Sequence, residues 1–280
     1  MTEHDEGSGK KGSGLSILGQ SAGGDPGGDP GADREFLEAP REISTTEFLA
    51  ALLDDQQEEV AKMIVQDDRL VKSRDASGAT AIQLAVYHGL DEMLGILLRS
   101  EVELDLYEAA AVGRLERVRE CLGEAPELID STSEDGFPPL GLVAFFGRGE
   151  VLEFLISKGA DVSKAAENPT SVAPINSATA HRDREVSRAM VRALLDAGAD
   201  PNTAQAGGFT PLHQAAAAGD RDLVKMLLDA GADIGVESDL GQTPAQLAEE
   251  RGHGELAAEL ASGSVAETVA ATGAESGADD

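Results

Sequence analysis

The chain has 280 residues, of which 41% are hydrophobic, enough for a sizeable core in one or two domains. Aromatic residues make up only 3% and there is no tryptophan, which points to helices packed at close range and away from a β-sandwich; the single Cys121 excludes an internal disulfide and a cysteine-based zinc cluster and suits a reducing compartment. A formal net charge of −30 repels nucleic acid and anionic membranes and favours a basic partner.

The N-terminus, Met1-Thr2-Glu3-His4-Asp5-Glu6, is acidic where a signal peptide is basic, and no apolar run reaches transmembrane length. A soluble, cytoplasmic protein is expected. Residues 1–40 carry eight acids and three bases, and Gly-Asp-Pro repeats at Gly24-Asp25-Pro26 and Gly28-Asp29-Pro30. Such a composition does not offset chain entropy, so 1–43 is expected to be a disordered tail. Gly7-Ser8-Gly9-Lys10-Lys11-Gly12 lacks the spacer and the Ser or Thr of a phosphate loop, and the Asp-Gly-Pro run lacks the spacing and final Glu of a calcium loop.

Order is expected from about Ser44. A first unit over 44–77 shows two helical faces, Phe48, Leu49 and Leu52, then Val60, Met63 and Ile64, with Asp55 where later units have glycine. A second, over 78–104, runs Gly78-Ala79-Thr80-Ala81 to Gly89, then Leu94, Leu97 and Leu98. The third, over 105–135, starts only 24 residues after Ala81, so the hairpin between Ser100 and Asp105 must be cut short. Units over 136–170 and 171–207 close on Gly159-Ala160-Asp161 and Gly198-Ala199-Asp200. From Pro139 to Gly159 is 20 residues and from Pro174 to Gly198 is 24, which places four extra residues in the fifth unit, around His181–Ser187 between its helices.

The sixth unit, 208–240, is the clearest. It opens Gly208-Phe209-Thr210-Pro211-Leu212-His213, passes Gly219, continues Leu223, Val224, Leu227, Leu228, and closes Gly231-Ala232-Asp233; Thr243-Pro244 follows 33 residues after Thr210-Pro211. Thr210 is suited to cap a helix through its hydroxyl, Pro211 is pre-set for the first helical position, and Gly219 and Gly231 permit the left-handed residue that ends each helix. One such unit leaves apolar surface bare on two sides and must be stacked on copies of itself. A last unit, 241–262, carries Glu249, Glu250, Arg251, Glu255 and Glu259 as a solvent-facing cap would. Residues 263–280, with four acids and no base, are expected to form a second disordered tail.

The Thr-Pro-Leu-His start, central glycine and Gly-Ala-Asp end resemble the ankyrin repeat, and the resemblance covers about 44–262. It implies an all-α solenoid of about seven helix-turn-helix repeats with short β-hairpin loops. It also implies protein–protein binding on a concave face built by the first helices and hairpin tips. The two positions before the first helix's closing glycine face that side: Tyr87-His88, Ala111-Val112, Phe145-Phe146, Ala180-His181 and Ala217-Ala218. Phe137 and Phe209 occupy the exposed hairpin position. Aromatics in a row on a surface mark an interaction site, so Tyr87, His88, Phe137, Phe145, Phe146, His181 and Phe209 are the candidate partner-binding residues. The competing reading is that the compressed third unit buries Phe145 and Phe146.

Arg184, Arg188 and Arg192 recur every four residues and, beside Asp183 and Glu185, read as a solvated outer helix face. His213, in the Thr-Pro-Leu-His motif, is given by the resemblance a hydrogen-bonding role between neighbouring turns. Cys121 reads as a buried small hydrophobe. His4, His88, His181, His213 and His253 are scattered without metal-ligand spacing, and no catalytic constellation, cofactor or metal site is expected. The function expected is a non-enzymatic, monomeric binding module or scaffold for another protein, one with a basic surface being favoured. The alternatives are an enzyme or toxin activity in the tails, or an acidic spacer without a specific partner.

Overall fold

The computed structural model describes residues 42–265. Except for residues 42–43 and 263–265, the two tails lie outside the described residues, as does the Gly7–Gly12 stretch. Among the described residues fourteen α-helices form seven consecutive pairs. They are α1 (Thr45–Leu53) and α2 (Gln57–Gln66), α3 (Ala81–Tyr87) and α4 (Asp91–Leu98), α5 (Leu106–Val112) and α6 (Leu115–Glu124), and α7 (Pro139–Phe145) and α8 (Gly149–Ser157). The series continues with α9 (Pro174–Thr179) and α10 (Arg184–Asp196), α11 (Pro211–Ala217) and α12 (Arg221–Asp229), and α13 (Pro244–Glu250) and α14 (Gly254–Ser262).

Local chemistry sets the helix starts. Pro139, Pro174, Pro211 and Pro244 each stand at a first helical position, where a missing N–H costs nothing. Ser44, Thr80, Asp105 and Thr243 accept a backbone N–H three residues on. At α11 His213 completes the cap: the Thr210 N–H donates to His213 Nδ1 at 3.1 Å, with the hydroxyl 3.0 Å from the same nitrogen. Gly219 and Gly231 are left-handed, and Asp55, standing in for glycine in the first pair, is left-handed too.

The first helix of each pair packs on the first helix of the next along the whole row from α1 to α13. None of these helices exceeds nine residues, too short to persist alone, so the stacking is what holds them. The apolar core falls into two clusters, one from Phe48 to Leu97 and one from Leu106 to Leu260. Across this break the segment after α2 is tied by polar bonds to the α4–α5 link and to α5. Lys72 Nζ donates to the fully buried Glu108 carboxylate at 2.7 Å and to the Glu103 carbonyl at 2.6 Å.

Two expectations need correcting. The four extra residues of the fifth unit are not between its helices: α9 and α10 start ten residues apart, as α7 and α8 do, and the addition lengthens α10 to 13 residues against 9 in α8 and α12. One more turn on an existing helix needs no new loop and keeps the register of the row. The hairpin loops, in turn, are not strands among the described residues. Each is a single finger turn, such as Gln205 N–H to the Phe209 carbonyl and Gly208 N–H back to the Gln205 carbonyl, both at 3.0 Å, too short to extend into a ladder. One isolated bridge, Arg74 with Thr80, is the nearest approach to a sheet.

The cut-short third unit is as expected. Residues 99–105 link α4 to α5, half the length of the link 197–210 between α10 and α11. With no finger from the third pair in the way, the finger of the fourth reaches the finger of the second. A Cβ on Gly78 would lie 2.6 Å from Glu134 Cβ, and Arg74 approaches Glu134 at 3.6 Å and Asp105 at 3.7 Å.

Candidate partner-binding surface

That direct contact between fingers assembles the aromatic residues. Tyr87 ends α3, Phe145 ends α7, Phe146 is the α7 cap residue, and Phe137 lies on the finger before α7. The Tyr87 ring stacks on Phe146 at 5.5 Å and 24°, meets Phe137 at 6.4 Å and 57°, and Phe146 meets Phe145 edge-on at 5.0 Å and 85°. Offset and edge-to-face contacts of this kind add attraction beyond burial. Four of the seven candidate residues thus form one cluster across the second and fourth pairs.

Phe145 is the exposed member, with 42% of its surface open, while Tyr87, Phe137 and Phe146 are half-buried. The short third unit therefore buries Phe146 in part against Tyr87 and leaves Phe145 on the surface. The Tyr87 hydroxyl donates to Asp135, which also accepts from Ser133 Oγ. Burial, and then the hydrogen bond to Asp135, push the Tyr87 hydroxyl far above its ordinary range, so it stays a donor. Asp75, Glu134 and Asp135 make the margin of the cluster acidic.

The other three candidates lie apart. His88 is exposed at the end of α3. His181 lies over Gly147, where an added Cβ would come within 3.0 Å of its Nε2, and its Nδ1 accepts the Asp183 N–H at 3.1 Å. Phe209 packs edge-on against His213 at 5.7 Å and covers it. His213 is fully buried, its Nε2 2.9 Å from the Gln242 carbonyl of the next finger, and burial lowers its pKa. The bond between neighbouring turns is therefore present.

Cys121 is buried and its thiol is pushed up by that burial. Arg184 and Arg192 are exposed, as a solvated face requires, but the row also reaches the next pair. Arg184 donates to the Ala218 carbonyl at 2.7 Å, and Arg188 to the buried Asp220 carboxylate at 2.7 Å. Asp135 and Asp220 escaped sequence reasoning because, among 52 acidic residues, nothing in the residue type distinguishes a bridging carboxylate from a solvated one. The one available signal for Asp135 was its place in the turn Asp135-Gly136-Phe137. Among the described residues no group of three His, Cys, Asp or Glu side chains is gathered to hold a metal ion, and no helix is long and apolar enough to cross a membrane.

Short helix pairs, linked by finger turns and packed first helix on first helix, define an α-helical repeat protein. The family of ankyrin repeats (3 copies) matches residues 143–238 and again 180–272, a little under half of the chain, and over that span the chain carries ankyrin repeats. It is similar to ankyrin repeat and SAM domain-containing protein 6 of Rattus norvegicus, 28% identical over 42% of this chain and 13% of that protein. Ankyrin repeat, SAM and basic leucine zipper domain-containing protein 1 of Chlorocebus aethiops is 30% identical over 46% of this chain and 26% of its own. The E3 ubiquitin-protein ligase KEG of Arabidopsis thaliana is 28% identical over 53% and 7%. The chain thus spans about a quarter or less of the curated relatives it matches. Ankyrin repeats generally mediate protein–protein interaction.

Proposed function

We propose that residues 44–262 form a non-enzymatic binding module that holds another protein on the face formed by the ends of the first helices and the finger tips. Phe145 is the anchor, backed by Phe146, Tyr87 and Phe137. The observation that carries this reading is the exposure of Phe145 at the edge of an otherwise packed aromatic cluster, since the stack has no use for an open phenyl ring. The acidic margin and the net charge of −30 favour a partner that places basic residues around an apolar side chain. Monomeric action in the cytoplasm, without nucleic acid or membrane, fits the same charge.

The test is affinity capture with the full chain beside Phe145→Ala at low and moderate salt. Captured proteins should be lost with the substitution and weakened by salt, while the melting temperature stays that of the wild type. Identical captured sets from both chains would show that the anchor lies elsewhere.

A further inference from the structure

The same row of helix ends changes character beyond the fourth pair. Seven residues after the first residue of its helix, α7 has Phe146, α9 has His181, α11 has Ala218 and α13 has Arg251. Between the fifth, sixth and seventh pairs these ends enclose a depression of about 730 Å³, whose polar lining is His181, Arg182, Arg184, Ser187, Gln214 and Arg251, with Thr179 and Asp220.

Three guanidinium groups therefore converge in a chain of net charge −30. Asp220 is the one carboxylate of the lining, and Arg188 already binds it from outside the depression through Nε at 3.1 Å and Nη2 at 2.7 Å. Among the described residues the guanidinium groups of Arg182 and Arg251 are exposed and engage no ion pair or hydrogen bond. Arg184 uses one donor on the Ala218 carbonyl. Ser187 is an independent sign of a missing occupant: it is 2% exposed, lines the depression, and its Oγ has no hydrogen-bond partner. Gln214 Oε1 is unpartnered as well. A buried polar atom left in this state calls for a partner that the protein does not supply, a bound group or ordered water.

We propose that this depression binds a phosphate monoester. A carboxylate has two oxygens, fewer than the donors that three guanidinium groups and a hydroxyl present; a phosphate has three acceptor oxygens and close to two charges. Gln214 Oε1 is an acceptor and matches a P–OH or an amide N–H beside the phosphate. The overall negative charge does not forbid the site. At physiological ionic strength charges beyond about 8 Å are largely screened, so the neighbouring guanidinium groups dominate. The site shares no residue with the aromatic cluster and stands or falls without it.

Calorimetric titration of the full chain in phosphate-free buffer tests the assignment. The probes are inorganic phosphate, the capped peptide acetyl-Gly-Gly-phosphoserine-Gly-Gly-amide, and the same peptide with Ser or Glu in place of phosphoserine. A phosphate-bearing probe should bind, the Ser and Glu peptides should not, and Arg182→Ala/Arg251→Ala should weaken binding by about tenfold or more. Arg182→Lys/Arg251→Lys should recover part of the loss, and Phe145→Ala should change nothing. Binding of inorganic phosphate as tight as that of the phosphopeptide assigns the site to a free phosphate compound; preference for the phosphopeptide assigns it to a phosphorylated partner. Absence of binding by both, equal binding of the Glu peptide, or undiminished binding by the alanine variant overturns the proposal. Because the substituted arginines are exposed, circular dichroism should report the same fold for every variant.

Discussion

Tyr87 at the end of the second pair's first helix donates its hydroxyl to Asp135 on the finger of the fourth, across a third pair that has no finger of its own. The bond is partly buried: it gives Tyr87 a partner inside the stack and Asp135 a second donor beside Ser133 Oγ. Tyr87→Phe keeps the ring stacked on Phe146 and removes only the donor. It should lower stability in urea unfolding by about 1.5–3 kcal/mol, as loss of a hydrogen bond to a charged acceptor does. An unchanged unfolding curve would mean that the second pair and the finger of the fourth are not coupled through this bond.

The same contact makes one glycine unlike another. Gly78 and Gly231 have nearly equal φ angles, 93° and 94°. A Cβ at Gly231 would meet nothing within 4 Å, while one at Gly78 would meet Glu134 Cβ at 2.6 Å and the Glu134 carbonyl carbon at 2.9 Å. Gly231→Ala should therefore cost only the left-handed backbone penalty, about 1 kcal/mol. Gly78→Ala should cost that and a further 1–3 kcal/mol, roughly the range for overpacking. Equal losses in parallel thermal melts would show that the fingers of the second and fourth pairs are not in contact.

These two residues also mark where sequence reading stops. The repeat itself was legible from Thr210-Pro211, Gly219 and Gly231, because capping, proline and left-handed glycine act within one turn of chain. The shortening before Asp105 was legible as a deletion. Its consequence was not: that Glu134 would pack on Gly78, and that Phe146 would half-bury against Tyr87 while Phe145 stayed open, depends on which units become neighbours once a finger is gone. The placement of the extra turn in α10 was hidden for a related reason. A count from Pro174 to Gly198 gives the excess but not its position, and Arg184–Asp196 reads equally well as a loop and a short helix or as one long helix.

His213 gives the stack a pH dependence of known sign. Its Nδ1 accepts the Thr210 N–H, so Nε2 carries the proton and donates to the Gln242 carbonyl; burial lowers its pKa from the ordinary 6.5. The unfolded chain therefore takes up a proton at a higher pH than the folded one. The stability that depends on neutral His213 is complete above about pH 6.5 and is lost as pH falls toward the folded pKa. In His213→Gln the side-chain oxygen should still accept the Thr210 N–H, as Gln83 and Gln246 accept those of Thr80 and Thr243 at 2.9 and 2.8 Å. The variant should be less stable than wild type at about pH 7, and the gap should narrow by about pH 5. A gap that stays constant across urea titrations in that range would rule out His213 as the titrating group.

The bond between Arg188 and Asp220 should account for much of the coupling between the fifth and sixth pairs. Asp220 is 2% exposed; besides Arg188 it accepts the Leu223 N–H at 3.0 Å and so caps α12. Arg188 also reaches Glu185 and Asp222, both exposed and therefore of little energetic weight. Asp220→Ala removes a cap and the buried acceptor together, a loss of about 3 kcal/mol. Arg188→Ala should cost nearly as much, because it strands a buried carboxylate that the Leu223 N–H alone does not compensate. Once Asp220 is gone, however, Arg188 has no buried charge to satisfy. The double variant should therefore lose clearly less than the sum of the two single losses, with about 1–3 kcal/mol of interaction energy measured by urea unfolding. Strict additivity would mean that the two pairs are held by the apolar core between them, with the ion pair as a passenger.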